Sequence, residues 1–236
     1  MKIEVLRRLQ EQTEAQANEV RQLLARHRVV LLNIMGSPGS GKTTLLEATF
    51  KQLTAPDTTG RPVRCAVLEG DLATVQDAER IAELNVPVAQ LLTEGGCHLT
   101  PGLVHSALSG KSGFDLDAID CVFVENVGNL VCPANFDIGE HARVVVLSVA
   151  EGDDKITKYP YMFQSVSGGG AVVISKLDLL SMCRFDLERV RDDLRAINPA
   201  AKVFEVSAIR GSGIEAWMRW VRAAIERAAD FTMRGP

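Results

Sequence analysis

Residues 29–46 read VVLLNIMGSPGSGKTTLL, and this stretch decides the fold. It begins with an apolar run interrupted by one asparagine, which predicts a buried strand, and the pattern of residues 43–53 predicts a helix. Between them, Gly36 to Thr43 match the G-x-x-x-x-G-K-T pattern of a phosphate-binding loop. Glycines are required there because the backbone must curl until successive N–H groups point at phosphate oxygens. The stretch therefore predicts a strand, a nucleotide-binding loop and a helix in direct succession.

The same loop predicts how a nucleotide is held. Lys42 would bridge the β- and γ-phosphates, and the Thr43 hydroxyl would bind Mg²⁺. The next helix begins at the phosphates, so the positive end of its dipole adds to the attraction. The residues that we expect to bind the phosphates are Gly36, Ser37, Gly39, Ser40, Gly41, Lys42 and Thr43.

Outward from this loop, apolar β-branched runs alternate with helical patterns. Further strands are predicted at residues 63–68, 86–92, 120–124, 143–149, 171–174 and 202–206, and helices at residues 74–84, 101–109, 186–197 and 214–229. Continuously apolar strands that alternate with helices indicate a mainly parallel sheet with helices on both faces. We therefore expect an α/β fold, with a single P-loop NTPase domain in residues 29–236 and an N-terminal amphipathic helix in residues 1–28.

Composition and charge exclude several classes of protein. A net charge of −4 over 236 residues argues against nucleic acid or an anionic membrane as the main partner. No stretch approaches the roughly 20 apolar residues of a membrane span, and charged residues near the N-terminus argue against a signal peptide. The five cysteines have no regular spacing, so no disulfide scaffold is expected. We expect a cytoplasmic protein.

Carboxylates follow the predicted strands at their ends. In open parallel sheets, ligands bind beyond the carboxyl ends of the strands, so these groups should meet at one crevice. Mg²⁺ prefers carboxylate oxygens, and either Asp71 or Glu125 is placed to supply one. Asp71 is also a candidate to orient the attacking water. The alternative is that both are solvated loop carboxylates.

Base selection depends on the segment Ser175-Lys176-Leu177-Asp178. A carboxylate at Asp178 can accept hydrogen bonds from guanine N1–H and the 2-amino group, whereas adenine would leave it badly paired. The stem of Lys176 can lie over the purine face, and Ser207-Ala208 can cap the same base. The segment therefore favours GTP over ATP.

Three residues are candidates for a transition-metal site. Cys97 and His98 follow the third predicted strand, and Cys132 follows Glu125 after a turn. Thiolate and imidazole suit Ni²⁺ and Zn²⁺, but spacing alone is weak support, and loop residues without a ligand remain the alternative. Three ligands are too few for a closed tetrahedral site, and a second copy of the chain would supply more. The other strand cysteines, Cys65 and Cys121, are expected in the core.

Five segments together resemble one family. They are residues 36–44, 69–71, 96–99, 125–133 and 154–160. They are similar to the HypB family of hydrogenase nickel incorporation GTPases, and the resemblance extends over nearly the whole chain. It implies hydrolysis of GTP to GDP and phosphate, binding of nickel and zinc, and assistance with nickel insertion into nickel–iron hydrogenase. It also implies a homodimer promoted by nucleotide or metal, with a HypA-type metallochaperone and the hydrogenase large-subunit precursor as partners.

The resemblance also implies roles for single residues. The nickel or zinc ligands would be Cys97, His98 and Cys132; residues 36–44, including Thr44, would bind phosphates and magnesium; Lys176 and Asp178 would bind guanine; and Asp71 and Glu125 would be the switch carboxylates. The chain departs from the family at Ser175, which replaces a common asparagine, and at Thr100, which replaces a common acidic residue. Histidine-rich and cysteine-rich N-terminal motifs are absent from the sequence, so nickel storage is not expected.

The sequence leaves three alternative functions open. One is a urease-type nickel GTPase, a second is a small-molecule P-loop kinase with Arg184 or Arg189 as a lid arginine, and a third is a metal carrier in which nucleotide is only structural. The apolar residues Leu179, Leu180 and Met182 lie in a predicted loop and are candidates for either the core or a dimer interface. Lys155 and Lys158 are candidates to reach across that interface.

Overall fold

The fold is known from a computed structural model, which describes residues 2–54, 62–70, 80–81, 83–93, 95–110, 114–166 and 169–234. The strands in this part of the chain are β1 (Val30–Gly36), β2 (Cys65–Glu69), β3 (Val88–Gln90), β4 (Cys121–Glu125), β5 (Ala142–Ser148), β6 (Ala171–Ser175) and β7 (Lys202–Glu205). The helices are α1 (Lys2–His27), α2 (Lys42–Leu53), α3 (Pro101–Ser109), α4 (Lys155–Lys158), α5 (Pro160–Gln164), α6 (Leu187–Ile197) and α7 (Ile214–Arg234). Short 3₁₀ helices lie at Leu116–Ala118, Pro133–Asn135, Val149–Glu151 and Leu177–Met182.

The strands form one sheet in the order β3-β2-β4-β1-β5-β6-β7, and every adjacent pair is parallel. The prediction of a parallel α/β sheet is therefore confirmed. β1 lies at the centre, with β4 on one side and β5 on the other. Its register pairs Ile34 with Glu125 and Gly36 with Val146, so the phosphate-binding loop leaves the sheet between the ends of β4 and β5.

Helices cover both faces of the sheet, because successive strand residues point to opposite sides. On one face, α2 and α7 bury Phe50 and Trp217 against alternate residues of the central strands, including Phe123. The Trp217 indole donates to the Thr49 hydroxyl at 2.9 Å, which satisfies two polar groups inside this layer. The opposite face has two apolar clusters, one under α1 and α3 and one under α5 and α6.

The N-terminal helix is part of this packing. Val20 and Leu24 of α1 are fully buried in the cluster that includes strand residues of β2 and β4. Gly139 lies directly under the helix, where an added Cβ would be 2.7 Å from the Val20 side chain. The predicted helix at residues 2–27 is thus found, and the boundary between residues 28 and 29 stays a prediction.

Two stretches differ from the sequence-based prediction. Residues 155–164 contain the short helices α4 and α5, which were not predicted because neither spans enough residues to show a helical period. The segment predicted as a loop after Asp178 is a 3₁₀ helix, in which Leu179 and Leu180 pack against an apolar cluster and Met182 is 75% exposed.

One other predicted element cannot be compared. Most of the predicted helix at residues 74–84 lies outside the described residues. Among the helices that the structure describes, none is both long and apolar enough to cross a membrane.

Candidate functional site

The phosphate-binding loop has a backbone that only glycine allows at several positions. Gly39 and Gly41 have φ values of 73° and 92°, in the left-handed region that disfavours other residues. A Cβ at Gly36 would lie 2.5 Å from the Val146 carbonyl oxygen. The Lys42 side chain is 4% exposed, and its ammonium donates to the Ser37 carbonyl at 3.2 Å. The curled loop predicted from the sequence is therefore present, and the contact of Lys42 with the phosphates stays a prediction.

Side chains from neighbouring strand ends fasten this loop. The Ser175 hydroxyl, at the end of β6, donates to the Ser40 carbonyl at 2.5 Å. The Ser37 hydroxyl donates to the carboxylate of Glu151, whose other oxygen accepts from the Ser148 backbone N–H at 2.8 Å. The role of Glu151 was missed by sequence reasoning, because it depends on the adjacency of β1 and β5.

A hydroxyl and a carboxylate meet beside the loop. Thr43 Oγ1 donates to the carboxylate of Glu125 at 2.8 Å, and Glu125 is 2% exposed at the end of β4. These hard oxygen donors fit the preference of Mg²⁺. Asp71 lies outside the described residues, so its predicted roles stay predictions. The Gly70 backbone N–H just before it donates to the Glu125 carbonyl at 2.8 Å.

The predicted base-binding residues lie next to the same loop. Lys176 has a φ of 56°, which is uncommon for a residue with a side chain, and its ammonium donates to the Gly39 carbonyl at 2.6 Å. Asp178 accepts from the Ser207 hydroxyl at 2.5 Å, and this hydrogen bond lowers the pKa of the carboxyl group. Ala208 packs partly buried against the core. An ionised Asp178 is the form that a guanine base requires.

The predicted transition-metal residues come together in the structure. The ligand atoms of Cys97, His98 and Cys132 all lie within 4.8 Å of one another. The pKa of the Cys132 thiol is raised, first by its hydrogen bond with Cys97 and then by burial. Burial lowers the pKa of His98, which favours the neutral imidazole that binds metals. Two sulfurs and one imidazole fit Ni²⁺ or Zn²⁺.

Two residues contact the members of this cluster and were not predicted from the sequence. The Asn129 side-chain oxygen accepts from the backbone N–H groups of Val131 at 2.7 Å and of Cys132 at 3.3 Å. The Phe136 ring stacks on the His98 ring, with centroids 3.7 Å apart and planes 17° from parallel. An aromatic residue near Cys132 has no spacing pattern that predicts this contact.

One buried amide lies between the two sites. Asn126, directly after Glu125, is 1% exposed. Its side-chain oxygen accepts from the Leu99 backbone N–H at 3.2 Å, and its amide nitrogen donates to the Asn33 side chain at 3.2 Å. Leu99 adjoins His98, so Asn126 links the middle of β1 to the segment that carries the candidate metal ligands Cys97 and His98.

The loop after Asn126 also contacts the phosphate-binding loop. The Asn129 backbone N–H donates to the Gly36 carbonyl at 3.0 Å. A Cβ at Gly128 would lie 2.9 Å from the Pro38 backbone nitrogen, so the two loops are in close backbone contact. Residues 126–132 therefore touch the nucleotide region at one end and supply a metal candidate at the other.

Four other residues named from the sequence lie in core, capping or ion-pair positions. Cys65 and Cys121 are buried on adjacent strands, as expected, and burial raises the pKa of the Cys65 thiol to about 12. The hydroxyl of Thr100, one of the family departures, accepts from the Leu103 backbone N–H at 3.3 Å and caps α3. Arg189 pairs with Asp153 at 3.5 Å, which does not support its role as a kinase lid arginine.

Comparison with known proteins gives matches across this whole region. Residues 30–205 match the family model described as CobW/HypB/UreG, nucleotide-binding domain. The hydrogenase maturation factor HypB of Escherichia coli K12 is 42% identical over 207 residues, covering 88% of this chain and 67% of that protein. The hydrogenase/urease maturation factor HypB of Helicobacter hepaticus is 39% identical over 208 residues, covering 87% of this chain and 81% of that protein.

A solved structure agrees with the fold as well. The crystal structure of HypB from Helicobacter pylori in complex with nickel superposes with a TM-score of 0.81 at 33% sequence identity. The superposition covers 92% of this chain and 96% of that one.

Proposed function

We infer that this chain, which belongs to the CobW/HypB/UreG family and within it to HypB, is a GTP-hydrolysing metallochaperone for nickel. It would assist nickel insertion during maturation of a nickel–iron hydrogenase. The names of the E. coli and H. hepaticus relatives support this client, and the nickel complex of the H. pylori relative supports this cargo.

One observation supports the inference most strongly: the end of β4 contacts both sites. Glu125 accepts from the Thr43 hydroxyl at 2.8 Å, and Asn126 holds the backbone beside His98. Cys132 lies at the far end of the same short loop. A shift of this segment with the nucleotide would therefore move Cys132 relative to Cys97 and His98, and so change the metal affinity.

The chemistry at the nucleotide side follows from the groups already in contact. The loop N–H groups and Lys42 would bind the phosphates and neutralise the charge that develops on them. Thr43 and Glu125 would hold Mg²⁺, which supplies further positive charge, and Asp71 would orient the attacking water. Asp178, whose pKa is lowered further by the hydrogen bond from Ser207, would accept from guanine N1–H.

The metal side would hold its cargo reversibly. Three ligands leave open coordination positions, as a site that must receive and release an ion requires. Cys97, His98 and Cys132 would bind Ni²⁺, and also Zn²⁺, and a second copy of the chain could complete the coordination. We propose a homodimer promoted by nucleotide or metal, with a HypA-type metallochaperone and the hydrogenase large-subunit precursor as partners.

The switch can be tested on the wild-type protein. Nickel affinity is measured by titration with GDP and then with a non-hydrolysable GTP analogue. We expect the two affinities to differ by about 5- to 150-fold, the usual size of coupling between two sites. Metal must change nucleotide affinity by the same factor, because linkage is reciprocal. Equal nickel affinities in the two nucleotide states would contradict the switch.

A further inference from the structure

The ring of Phe136 restricts the orientation of the His98 ring. Their centroids are 3.7 Å apart and their planes are nearly parallel, so the imidazole cannot rotate about its long axis without losing this contact. Stacked rings of this kind attract each other beyond simple burial of area. The plane of the imidazole is thus set by a residue that is not itself a metal ligand.

Phe136 is in turn held by a nearly buried arginine. The Arg143 guanidinium donates to the carbonyl oxygens of Ala134 at 3.1 Å and of Phe136 at 3.0 Å. The same guanidinium pairs with Glu140, and the two side chains are only 14% and 4% exposed. Charge-assisted hydrogen bonds with planar geometry are the stronger and more directional ones. The backbone of Phe136 is therefore fixed to the start of β5.

Phe136 and the ligand candidate Cys132 belong to one turn. The Asn135 backbone N–H donates to the Cys132 carbonyl at 3.1 Å, and the Phe136 N–H donates to the Pro133 carbonyl at 3.3 Å. Asn129 holds the other side of Cys132. One rigid turn thus places a thiol at its start and, at its end, the ring that orients His98.

The orientation of an imidazole matters differently to different metals. A ring nitrogen donates its lone pair in the plane of the ring, so fixing the plane fixes the direction of the metal–nitrogen bond. Zn²⁺ has no geometric preference from its d electrons and accommodates a reoriented ring. Ni²⁺ prefers square-planar or tetragonal arrangements of its ligands. It should therefore lose more affinity than Zn²⁺ when the direction of the metal–nitrogen bond is no longer fixed.

We propose that Phe136 is a specificity-determining positioning residue, which holds the His98 ring in the orientation that favours Ni²⁺ over Zn²⁺ at the cluster with Cys97 and Cys132. This inference rests on the proposed metal function. Arg143 supports it by anchoring the turn on which Phe136 lies.

The test compares two variants of Phe136 in the full chain. Phe136→Leu keeps an apolar side chain but removes the ring, and Phe136→Tyr keeps the ring. Ni²⁺ and Zn²⁺ affinities are measured separately by competition with a chelator. We expect Phe136→Leu to lower nickel affinity by about tenfold, the usual effect of losing a group that orients a ligand. Zinc affinity should fall by clearly less, and Phe136→Tyr should restore the wild-type ratio and nickel absorption spectrum.

A matched control separates this effect from general loss of packing. Phe185 is also a half-buried phenylalanine, and it packs against the apolar cluster under α5 and α6. Phe185→Leu should leave the ratio of nickel to zinc affinity unchanged. If Phe136→Leu lowered the affinities for nickel and zinc equally, or lowered neither, the proposal would be overturned. The assignment of the metal ligands would not be affected by that result. A wild-type protein that binds no nickel would remove the proposed function as well.

A second measurement detects the stacking in the wild-type protein itself. In NMR spectra of the wild-type protein, the stacked Phe136 ring should shift the carbon-bound protons of the His98 imidazole upfield. The His98 signals are assigned by their loss in His98→Gln. Imidazole signals at ordinary positions would show that the rings do not stack in solution, and the proposal would fail.

Discussion

The two candidate sites are built in opposite ways. The phosphate-binding loop is one continuous stretch shaped by backbone conformation, in which Ser40 and Lys42 are buried while Pro38 and Gly39 are exposed. The metal cluster is an arrangement of side chains from two separate loops, and its Cys97 is exposed. In the proposed function, the first site would recognise phosphate with fixed main-chain groups, and the second would present soft ligands at the surface.

This difference matches the proposed roles. Main-chain N–H groups bind phosphate only if the curl of the backbone is set beforehand, and the contacts from Ser175 and Glu151 keep it set. A cargo metal must be received and released, which requires ligands that remain accessible. The loop of residues 126–132 lies between the two and contacts both. A site shaped by the main chain and a site made of side chains therefore share a single connecting segment.

The largest expected effect is a loss of GTP turnover that leaves nickel affinity unchanged. Lys42→Ala should reduce GTP turnover by about 100- to 1,000-fold, because it removes a preorganised charge from the phosphates. Nickel affinity without nucleotide should not change. Lys51→Ala, which removes an exposed lysine from the same helix, is the control and should keep full turnover. If both variants hydrolysed GTP equally well, the role of the loop would be wrong.

A change at the metal site should have the opposite pattern, with nickel affinity lowered and GTP turnover unchanged. Cys132→Ala should lower nickel affinity by at least about tenfold, since even groups that only support a ligand have effects of about 10- to 100-fold. GTP turnover in the absence of metal should stay at the wild-type rate. The control is Cys183→Ala, because Cys183 is also a half-buried free thiol but packs against an apolar cluster. Similar nickel titrations for the two variants would exclude Cys132 as a ligand.

A third variant should weaken the connection between the two sites, at the residue that links the nucleotide site to the loop of residues 126–132. Glu125→Gln weakens the contact with Thr43, so nickel affinities measured with GDP and with a GTP analogue should converge. The wild-type difference that is lost should be about tenfold. Glu215→Gln, at an exposed ion pair on α7, should keep the difference. A persistent difference in Glu125→Gln would place the coupling elsewhere.

The smallest effect concerns base selection. Ser207→Ala removes the hydrogen bond that lowers the pKa of Asp178, so this pKa should rise toward its ordinary value. A carboxyl group is ionised above its pKa, and the variant should therefore lose guanine recognition at a higher pH than the wild type as the solution is acidified. At neutral pH the preference for GTP over ATP should fall about two- to tenfold, the value of one hydrogen bond.

The control for base selection lies across the same turn. Ser212 accepts from the Ser207 backbone N–H through its own carbonyl, so Ser212→Ala keeps this contact. Its competition titrations with GTP and ATP from about pH 5 down to about pH 3, the range around the ordinary pKa of an aspartate, should match the wild type. An unchanged pH profile in Ser207→Ala would show that the hydroxyl does not tune Asp178.

Much of the fold could be predicted because its signals are local. The central strands are buried on both sides, so they appear as continuous apolar runs, and α3 begins and ends where the pattern predicts. The short helices of residues 155–164 could not be predicted, because their stability comes from contacts with the core rather than from a repeating pattern.

The amino-acid sequence by itself determined the phosphate-binding loop, since glycines and a lysine at fixed spacing dictate a local backbone shape. Together with the family resemblance, it also named Cys97, His98 and Cys132. Only the tertiary structure decided which groups support them: Phe136 on His98, Arg143 under Phe136, and Glu151 on Ser37. The contacts of Phe136 with His98 and of Glu151 with Ser37 join residues that are distant in the chain. They depend on which strands are neighbours and in what register, and no local pattern contains that information.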